Sequence, residues 1–169
     1  WNCCGASSAH ATSDQLAISL PARNLAIADR VGQDVMVPCA ACYSRLKAAE
    51  KALKDGVSVE GVTDYQGDFK IKHISDFLHD DIGAAQITAK QVKSLTGLNP
   101  VCYYGCLVTR PPRTTGAADA DNPESVDEVL AALGAEVKPW AFKTDCCGSG
   151  HVLTQPDVAF RMIQKLIDM

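Results

Sequence analysis

Short apolar runs alternate with amphipathic segments along this chain, and the alternation predicts strands followed by helices. Strands are predicted at 35–38, 71–74 and 99–104, with a fourth candidate at 137–142 that Pro139 weakens. Helices are predicted at 21–31, 43–54, 75–81, 87–95, from 122 up to Gly134 and from 156 onward, and loops at 6–13, 57–70 and 109–123. This order favours an α/β fold with parallel strand pairing.

Proline and glycine mark the ends of several predicted helices. Pro21 stands in the predicted first turn of one helix and Gly32 just past its end, which is the expected placement of both. Parallel α/β sheets bind ligands at the carboxyl ends of their strands. Because Cys39, Cys42 and Cys106 all follow strand candidates, their placement fits a ligand site at that edge.

Composition narrows the function further. The 169 residues are 47% hydrophobic and 21% charged, as in ordinary globular proteins. A net charge of −4 without a basic run argues against a nucleic-acid partner. The chain shows no signal peptide and no apolar stretch of about 18 residues, so the sequence predicts no membrane-spanning segment. Eight cysteines without a secretory signal favour a cytoplasmic protein with metal or redox chemistry over disulfides.

Two Cys-Cys-Gly tripeptides, Cys3-Cys4-Gly5 and Cys146-Cys147-Gly148, carry the strongest chemical signal. Adjacent cysteines are poor disulfide partners, because a trans peptide holds their Cα atoms about 3.8 Å apart and a disulfide needs about 5.5–6 Å. A doubled thiol beside a glycine suits a metal cluster, since two adjacent thiolates can bind different irons while the glycine turns the backbone closely.

The surroundings of the tripeptides also repeat. Each is followed by small residues and then by a proline that precedes an amphipathic segment. In the first copy, 34 residues separate Cys4 from the Cys-x-x-Cys motif that begins at Cys39 and ends at Cys42. In the second, 39 residues separate Cys106 from Cys146. We expect residues 1–96 to be the last part of one repeat and residues 97–169 the first part of another, with both repeats truncated.

These motifs resemble the cysteine-rich CCG domain family, and in particular the B subunit of heterodisulfide reductase. The resemblance rests on Trp1-Asn2-Cys3-Cys4-Gly5, Val37-Pro38-Cys39-Ala40-Ala41-Cys42, Tyr103-Tyr104-Gly105-Cys106 with Arg110-Pro111, and Asp145-Cys146-Cys147-Gly148. It implies two pseudo-repeated domains with short parallel sheets flanked by helices. It also implies noncubane [4Fe-4S] clusters, up to two in a full-length protein, that cleave a disulfide such as CoM-S-S-CoB. The implied partners are an iron–sulfur relay subunit and a flavin subunit.

The same resemblance assigns the cluster ligands residue by residue. Each motif of the family has five cysteines, so a fifth ligand of the first motif and the Cys-x-x-Cys of the second are missing here. Cys102 matches no position and is predicted to be a small buried residue, or alternatively a metal pair with Cys106. The implied ligands are Cys3, Cys4, Cys39 and Cys42 for the first cluster, and Cys106, Cys146 and Cys147 for the second.

Other functions fit parts of the pattern. The chain resembles CCG subunits of quinone-linked or lactate-oxidising complexes as well. It is also compatible with a structural interaction domain in which the first four cysteines bind zinc. Cys39 and Cys42 alone would suit a thioredoxin-like redox pair at a helix start.

Four further side chains have a chemical and a plain structural interpretation. His10 and His151 each follow a Cys-Cys-Gly tripeptide, and either suits a proton donor to a leaving thiolate or an ordinary loop histidine. Arg110 and Arg113 follow Cys106 in a proline-rich loop, where they suit contacts to an anionic substrate tail or a plain surface loop.

Overall fold

The computed structural model describes residues 1–6 and 8–169, and the described chain is an α/β structure rich in helix. Its two strands, β1 (Val35–Val37) and β2 (Ile71–His73), pair in parallel with Val35 opposite Ile71. The helices are α1 (Ser8–Thr12), α2 (Asp14–Val31), α3 (Ala40–Lys54), α4 (Ile74–Asp76), α5 (Ala84–Ala89), α6 (Cys106–Thr109), α7 (Pro112–Thr115), α8 (Ser125–Ala132) and α9 (Pro156–Ile167). A π-helical turn, Phe77–Ile82, follows α4, and a 3₁₀ turn, Ser149–His151, precedes α9.

The hydrophobic core lies where α2 and α3 pack on each other and on the small sheet. Leu25 of α2 and Leu46 of α3 are fully buried there, and small residues such as Ala22 and Ala49 let the two helices approach closely. Each buried leucine stabilises the fold by about 2 kcal/mol through the removal of apolar surface from water. This core fixes the start of α3, and with it Cys39 and Cys42.

Helix α2 begins earlier than the proline pattern predicted. It starts at Asp14, and the side chain of Ser13 caps it by accepting the N–H of Leu16 at 3.0 Å. Pro21 therefore lies inside the helix and is fully buried, so its predicted place in the first turn was wrong. The serine cap satisfies an N–H group that the first turn leaves free, and burial offsets the hydrogen bond that Pro21 cannot make.

The other helix predictions had the right regions with shifted ends. Helix α3 ends at Lys54 as predicted but begins at Ala40, so Cys42 is helical. The helix predicted at 87–95 was wrong in its second half, because α5 runs from Ala84 to Ala89 and turns and bends follow, after which Leu95 donates to the carbonyl of Leu133.

Two strand predictions, 99–104 and 137–142, were wrong as regular strands. The segments do run parallel, with Glu136 donating to Leu98 and Lys138 donating to Pro100, both at 2.9 Å. Pro100 and Pro139 have no N–H, so a continuous ladder cannot form between them. The segments nevertheless bring the residues before Cys106 next to those before Cys146.

Two predicted loops contain short helices. Residues 109–123 include α7, and residues 6–13 include α1, while Ser7 lies outside the described residues. In the described part of the chain, every helix is too short or too polar to cross a bilayer. Helices α6 and α7 pack against α3, and α8 packs against α5. The division at residues 96 and 97 stays a prediction.

Candidate functional site

The first Cys-Cys-Gly tripeptide lies against the start of α3. Cys39 occupies the N-cap of α3, and Cys42 lies in its first turn. The thiol of Cys4, which is buried, donates to the sulfur of Cys42 at a distance of 3.1 Å. Cys3 is exposed. The structure thus brings together Cys4, Cys39 and Cys42, three of the four ligands assigned to the first motif.

The two thiols at the start of α3 have opposite pKa shifts. The backbone N–H of Cys42 faces the Cys39 sulfur and lowers the pKa of that thiol, although partial burial opposes the effect. Burial, together with the neighbouring thiols of Cys4 and Cys39, raises the pKa of the Cys42 thiol to about 12. Because a helix N-terminus favours negative charge, Cys39 is the first of these thiols to become a thiolate.

The second tripeptide lies beside the start of α6. Burial and the neighbouring Cys146 raise the pKa of the Cys106 thiol. Burial also opposes ionisation of Cys147, but the N–H of Ser149 and the hydroxyl of Tyr103 outweigh it and lower the pKa of the Cys147 thiol. All three ligands assigned to the second motif therefore lie in one group.

The two tripeptides share one local geometry. In the first, the N–H of Gly5 donates to the sulfur of Cys3 at 3.4 Å, and in the second the N–H of Gly148 donates to the sulfur of Cys146 at the same distance. Both glycines have a positive φ, +84° and +79°, which side chains other than glycine rarely adopt. Each glycine therefore turns the backbone around the first sulfur of its pair.

Substituting Gly5 tests this turn. A Cβ atom at Gly5 would stand 2.7 Å from the Cβ of Ala9, in addition to the strain of the positive φ. We expect Gly5→Ala to lower the free energy of unfolding by about 2–4 kcal/mol, measured by urea denaturation. Gly32→Ala has a positive φ but open space, and should cost about 1 kcal/mol. Equal losses at Gly5 and Gly32 would contradict the steric part of the prediction.

A cavity of about 540 Å³ is lined by the second thiol group and by neighbours of the first, whose own cysteines are absent from the described lining. Ala6, Ala40 and Ala41, which are neighbours of the first group, line one side, and the second group lines the other. His10 and His151, which are far apart in sequence, both reach this cavity. The lining residues with reactive or charged side chains are His10, Arg45, Cys106, Cys146, Cys147 and His151.

Three residues that the sequence singled out lie elsewhere. Cys102 is buried, and its burial, together with the neighbouring Asp127, raises the pKa of its thiol to about 11. Arg110 pairs with Asp121 at 2.5 Å. Arg113 faces a separate groove. Neither arginine of the proline-rich loop lines the cavity, so the structure does not support their interpretation as substrate contacts.

Sequence reasoning missed Arg45. It lies in α3 three residues after Cys42, one helical turn away, and lines the cavity together with Ala41. Burial lowers the pKa of its guanidinium, which the nearby Cys4 partly opposes. The only signal in the sequence is its spacing from Cys42, because residues three or four apart on a helix share a face.

The donor set can be tested against the two proposed kinds of metal centre. Zinc in a structural site needs four ligands converging on one ion, with sulfurs about 3.8 Å apart. Among residues 1–6 and 8–169, no three cysteine, histidine or acidic side chains converge in this way. An iron–sulfur cluster distributes its thiolate ligands over several irons. The two groups contain only thiols, and each includes a Cys-Cys pair followed by a glycine turn. They therefore fit an iron–sulfur cluster better than a structural zinc site.

Comparisons with known proteins agree with the motif analysis. The chain is 29% identical over 175 residues to the 8-methylmenaquinol:fumarate reductase membrane anchor subunit of Wolinella succinogenes. This alignment covers 99% of this chain and 61% of that protein. It is 26% identical to the B subunit of the ferredoxin:CoB-CoM heterodisulfide reductase of Methanosarcina mazei, covering 99% of this chain and 59% of that protein. The corresponding B subunit of Methanosarcina acetivorans is also 26% identical, over 88% of this chain and 53% of its own length.

The chain therefore spans about three fifths or less of the length of these curated relatives. A family profile described as the cysteine-rich CCG domain matches residues 1–47 and 101–169, which together make up more than half of the chain. The matched segments contain both thiol groups and the start of α3. The chain belongs to the cysteine-rich CCG domain family.

Proposed function

We propose that this chain is part of an iron–sulfur oxidoreductase subunit that reduces a disulfide in the cavity lined by its second thiol group and by neighbours of the first. The main support is the cavity itself, because residues next to both cysteine motifs and both histidines line this one ligand-sized space. The heterodisulfide reductase relatives support the disulfide as substrate. A heterodisulfide of the CoM-S-S-CoB type is the substrate that these relatives suggest.

The thiols in the two groups are the proposed cofactor ligands. Their soft sulfur donors suit iron, and the resemblance suggests noncubane [4Fe-4S] clusters. Such a cluster, when bound, supplies electrons for cleavage of the disulfide. Cys3 is exposed and adjoins Cys4, so it is available to the first group. The proposed ligands are Cys3, Cys4, Cys39 and Cys42 in the first group and Cys106, Cys146 and Cys147 in the second.

The protein side chains would bind the disulfide and supply protons. Reduction of one disulfide consumes two electrons and two protons and yields two thiols. His10 and His151 line the same cavity and are both exposed to it, so each is placed to give one proton to one departing thiolate. Tyr103 holds the Cys147 side of the cavity, because its hydroxyl donates to the carbonyl of Asp145 at 2.6 Å.

The electrons would come from other protein components. The relatives from Methanosarcina belong by name to multi-subunit heterodisulfide reductases, so we propose an iron–sulfur relay subunit and a flavin subunit as partners. We keep the cytoplasm as the proposed compartment, and we propose no nucleic-acid partner, because the net charge is −4 and no basic run is present.

A second candidate is a CCG subunit of a quinone-linked complex. The relative from Wolinella succinogenes favours it, because its name includes a menaquinol and its match extends over 99% of this chain. In that case the reduced chain would exchange electrons with a quinone, and the cavity would not hold a disulfide. A zinc or thiol interaction domain is a third candidate, for which the described thiols offer no converging four-ligand site.

One anaerobic experiment separates the three candidates. The chain is loaded with iron and sulfide, reduced with methyl viologen, and mixed with bis(2-hydroxyethyl) disulfide or with a soluble menaquinone analogue. Disulfide reduction predicts viologen oxidation with two thiols released per disulfide, dependent on the loaded chain. Oxidation by the quinone alone would favour the second candidate. Uptake of zinc without iron or sulfide would favour the third.

The histidines provide the next prediction. If each donates a proton to one thiolate, His10→Gln and His151→Gln should each lower the rate of disulfide reduction about 100-fold, the range of general acid catalysis. Binding of a disulfide should change little. His79→Gln is the matched control, because His79 lies outside the cavity and bonds Asp80 and Glu128. An equal rate loss in His79→Gln would contradict a proton-donor role.

A further inference from the structure

Asn24 is a polar side chain that is completely buried in the core helix α2. Its neighbour Leu25 is equally buried, so this turn of α2 faces the protein interior. Asparagine is a weak helix former, and a buried amide costs free energy unless its donor and its acceptor are both bonded. Asn24 therefore needs partners that a leucine in the same place would not need.

Both partners of Asn24 belong to one residue, Asn2. The N–H of Asn2 donates to Oδ1 of Asn24 at 2.7 Å, and Nδ2 of Asn24 donates to the carbonyl of Asn2 at 2.8 Å. In the part of the chain that the structure describes, the backbone groups of residues 1–4 form no other hydrogen bond. The amide of Asn24 thus fixes both the position and the orientation of the segment that leads directly into Cys3 and Cys4.

This segment determines where the first thiol group forms. Cys4 follows Asn2 by two residues and is 6% exposed, and its sulfur lies 3.1 Å from that of Cys42. Asn2 and Cys3 are exposed, so burial of their own side chains does not hold them in place. Without the amide, the backbone of Asn2 would exchange its two bonds for bonds to water, and the tripeptide would lose its fixed approach to α3.

The second tripeptide is held at the corresponding point. Asp145 stands directly before its cysteine pair, as Asn2 does, and the carbonyl of Asp145 accepts the hydroxyl of Tyr103 at 2.6 Å. The two donors come from different places, because Asn24 follows its tripeptide in the chain and Tyr103 precedes its own. In both groups a side chain bonds the carbonyl before the first cysteine, although the sequence repeat does not include that side chain.

We propose that Asn24 is a positioning residue of the first thiol group, which holds Cys3 and Cys4 at the start of α3. The inference rests on the proposed function only in taking these thiols as cluster ligands, because the two hydrogen bonds need no metal. Residues that orient metal ligands determine how well a site binds its metal, so displacement of the cysteine pair should lower the occupancy of the first cluster.

Thiol reactivity in the metal-free, reduced chain tests this proposal. Alkylation by iodoacetamide is followed site by site by mass spectrometry, with Cys102 as the internal reference because it is buried outside both groups. The ratio of the Cys4 rate to the Cys102 rate reports local exposure of Cys4 rather than global unfolding. We expect Asn24→Leu, which is similar in size and makes neither bond, to raise this ratio at least about 10-fold.

Asn2→Pro tests the same contact without changing the core. It removes the N–H that Asn24 accepts, so it should raise the ratio as well, whereas Asn2→Ala keeps both backbone bonds and should leave it unchanged. Thr115→Val is the control for loss of a buried hydrogen bond, because Thr115 lies in α7 and donates to the carbonyl of Thr109 at 3.0 Å. Its ratio should equal that of the wild type.

The proposal is overturned if Asn24→Leu and Asn2→Pro keep the wild-type ratio. It is also overturned if Cys4 and Cys102 react faster by the same factor in both variants, since Asn24 would then only stabilise the core. After reconstitution with iron and sulfide, Asn24→Leu should lose the iron of the first group, and unchanged iron would equally overturn the proposal. A raised ratio in a chain whose wild type takes up no iron would contradict the proposed function alone and support the positioning role.

Discussion

Replacing Cys39 by serine is expected to remove the iron and acid-labile sulfide that the first thiol group binds, about half of the total when both groups are loaded. Cys39 carries the thiol whose pKa the start of α3 lowers, so it is the readiest thiolate ligand of that group. A serine hydroxyl at the same N-cap is a far weaker ligand for iron, although it caps the helix well. The measurement is iron, sulfide and zinc content after anaerobic reconstitution, with an electron paramagnetic resonance spectrum of the oxidised chain.

Cys102→Ala is the matched control for Cys39→Ser. Cys102 is also a cysteine of this chain, but it is buried beside Asp127 and lies outside both groups. We expect it to keep the iron and sulfide content of the wild type while losing about 1 kcal/mol of stability or less. Unchanged iron in Cys39→Ser, or equal losses in both variants, would rule out Cys39 as a cluster ligand.

The sequence predicted the thiol groups because their chemistry is local. The doubled cysteines, the glycine beside each pair and the short strand before Cys39 are all encoded within a few residues. Gly5 and Gly148 adopt the positive φ that a close backbone turn needs, and Val35–Val37 forms β1 as its apolar run predicted. Local patterns of this kind survive folding, because the core formed by α2 and α3 reinforces them.

The sequence did not predict the features that depend on competition between elements. Pro21 has the signature of a helix start, yet the Ser13 cap and burial of the helix interior extend α2 by two turns before it. Residues 99–104 are apolar enough for a strand, but Pro100 and Pro139 interrupt the hydrogen bonds with their neighbour. In both cases proline acts against a longer pattern, and only the packed structure shows which effect is larger.

The sequence did not predict that Arg45 lines the cavity, and the reason is related. On a helix surface a basic residue is usually solvated, as Lys54 nearby is, where it pairs with Glu50. What distinguishes Arg45 is the approach of the second thiol group across the cavity, between residues about a hundred positions apart. A contact of that separation is set by the whole fold, whereas local periodicity reports only the face of the helix.

Replacing Lys143 by methionine is expected to lower the free energy of unfolding by about 2–3 kcal/mol at pH 7, because it leaves the half-buried carboxylate of Asp127 without its cation. Lys143 is 5% exposed, and its Nζ lies 2.8 Å from a carboxylate oxygen of Asp127. The backbone carbonyl of Lys143 accepts the N–H groups of Tyr104 and Gly105 at 2.9 and 3.0 Å. The pair thus stabilises the junction that holds the two halves of the second thiol group together.

Lys138→Met is the control for this substitution. Lys138 pairs with Glu136 on the surface, where such pairs contribute little, so we expect a change within about 0.5 kcal/mol. Adding Asp127→Asn to Lys143→Met should recover part of the loss, because the unpaired charge is then removed. Equal losses for Lys143→Met and Lys138→Met in urea denaturation would contradict the importance of the buried pair.

The pH dependence of the same variant separates charge from packing. Burial alone raises the pKa of the Asp127 carboxyl, but the hydrogen bonds from Lys143 and Tyr104 outweigh it and hold that pKa below its ordinary value. Ionised Asp127 therefore stabilises the wild type above about pH 4, the unfolded pKa, and this contribution is lost as the pH falls through the lower folded pKa.

In Lys143→Met we expect the pKa shift of Asp127 to reverse its direction. Without the lysine, burial dominates and the pKa of Asp127 should rise above its unfolded value, so protonation stabilises the folded variant as the pH falls. The difference in unfolding free energy between the wild type and the variant should therefore be largest near pH 7 and smaller near pH 4. A difference that stays constant between these two values would assign the effect of Lys143 to its packed side chain, because the titration of the histidines and of the other carboxyls is common to both proteins and cancels in the difference.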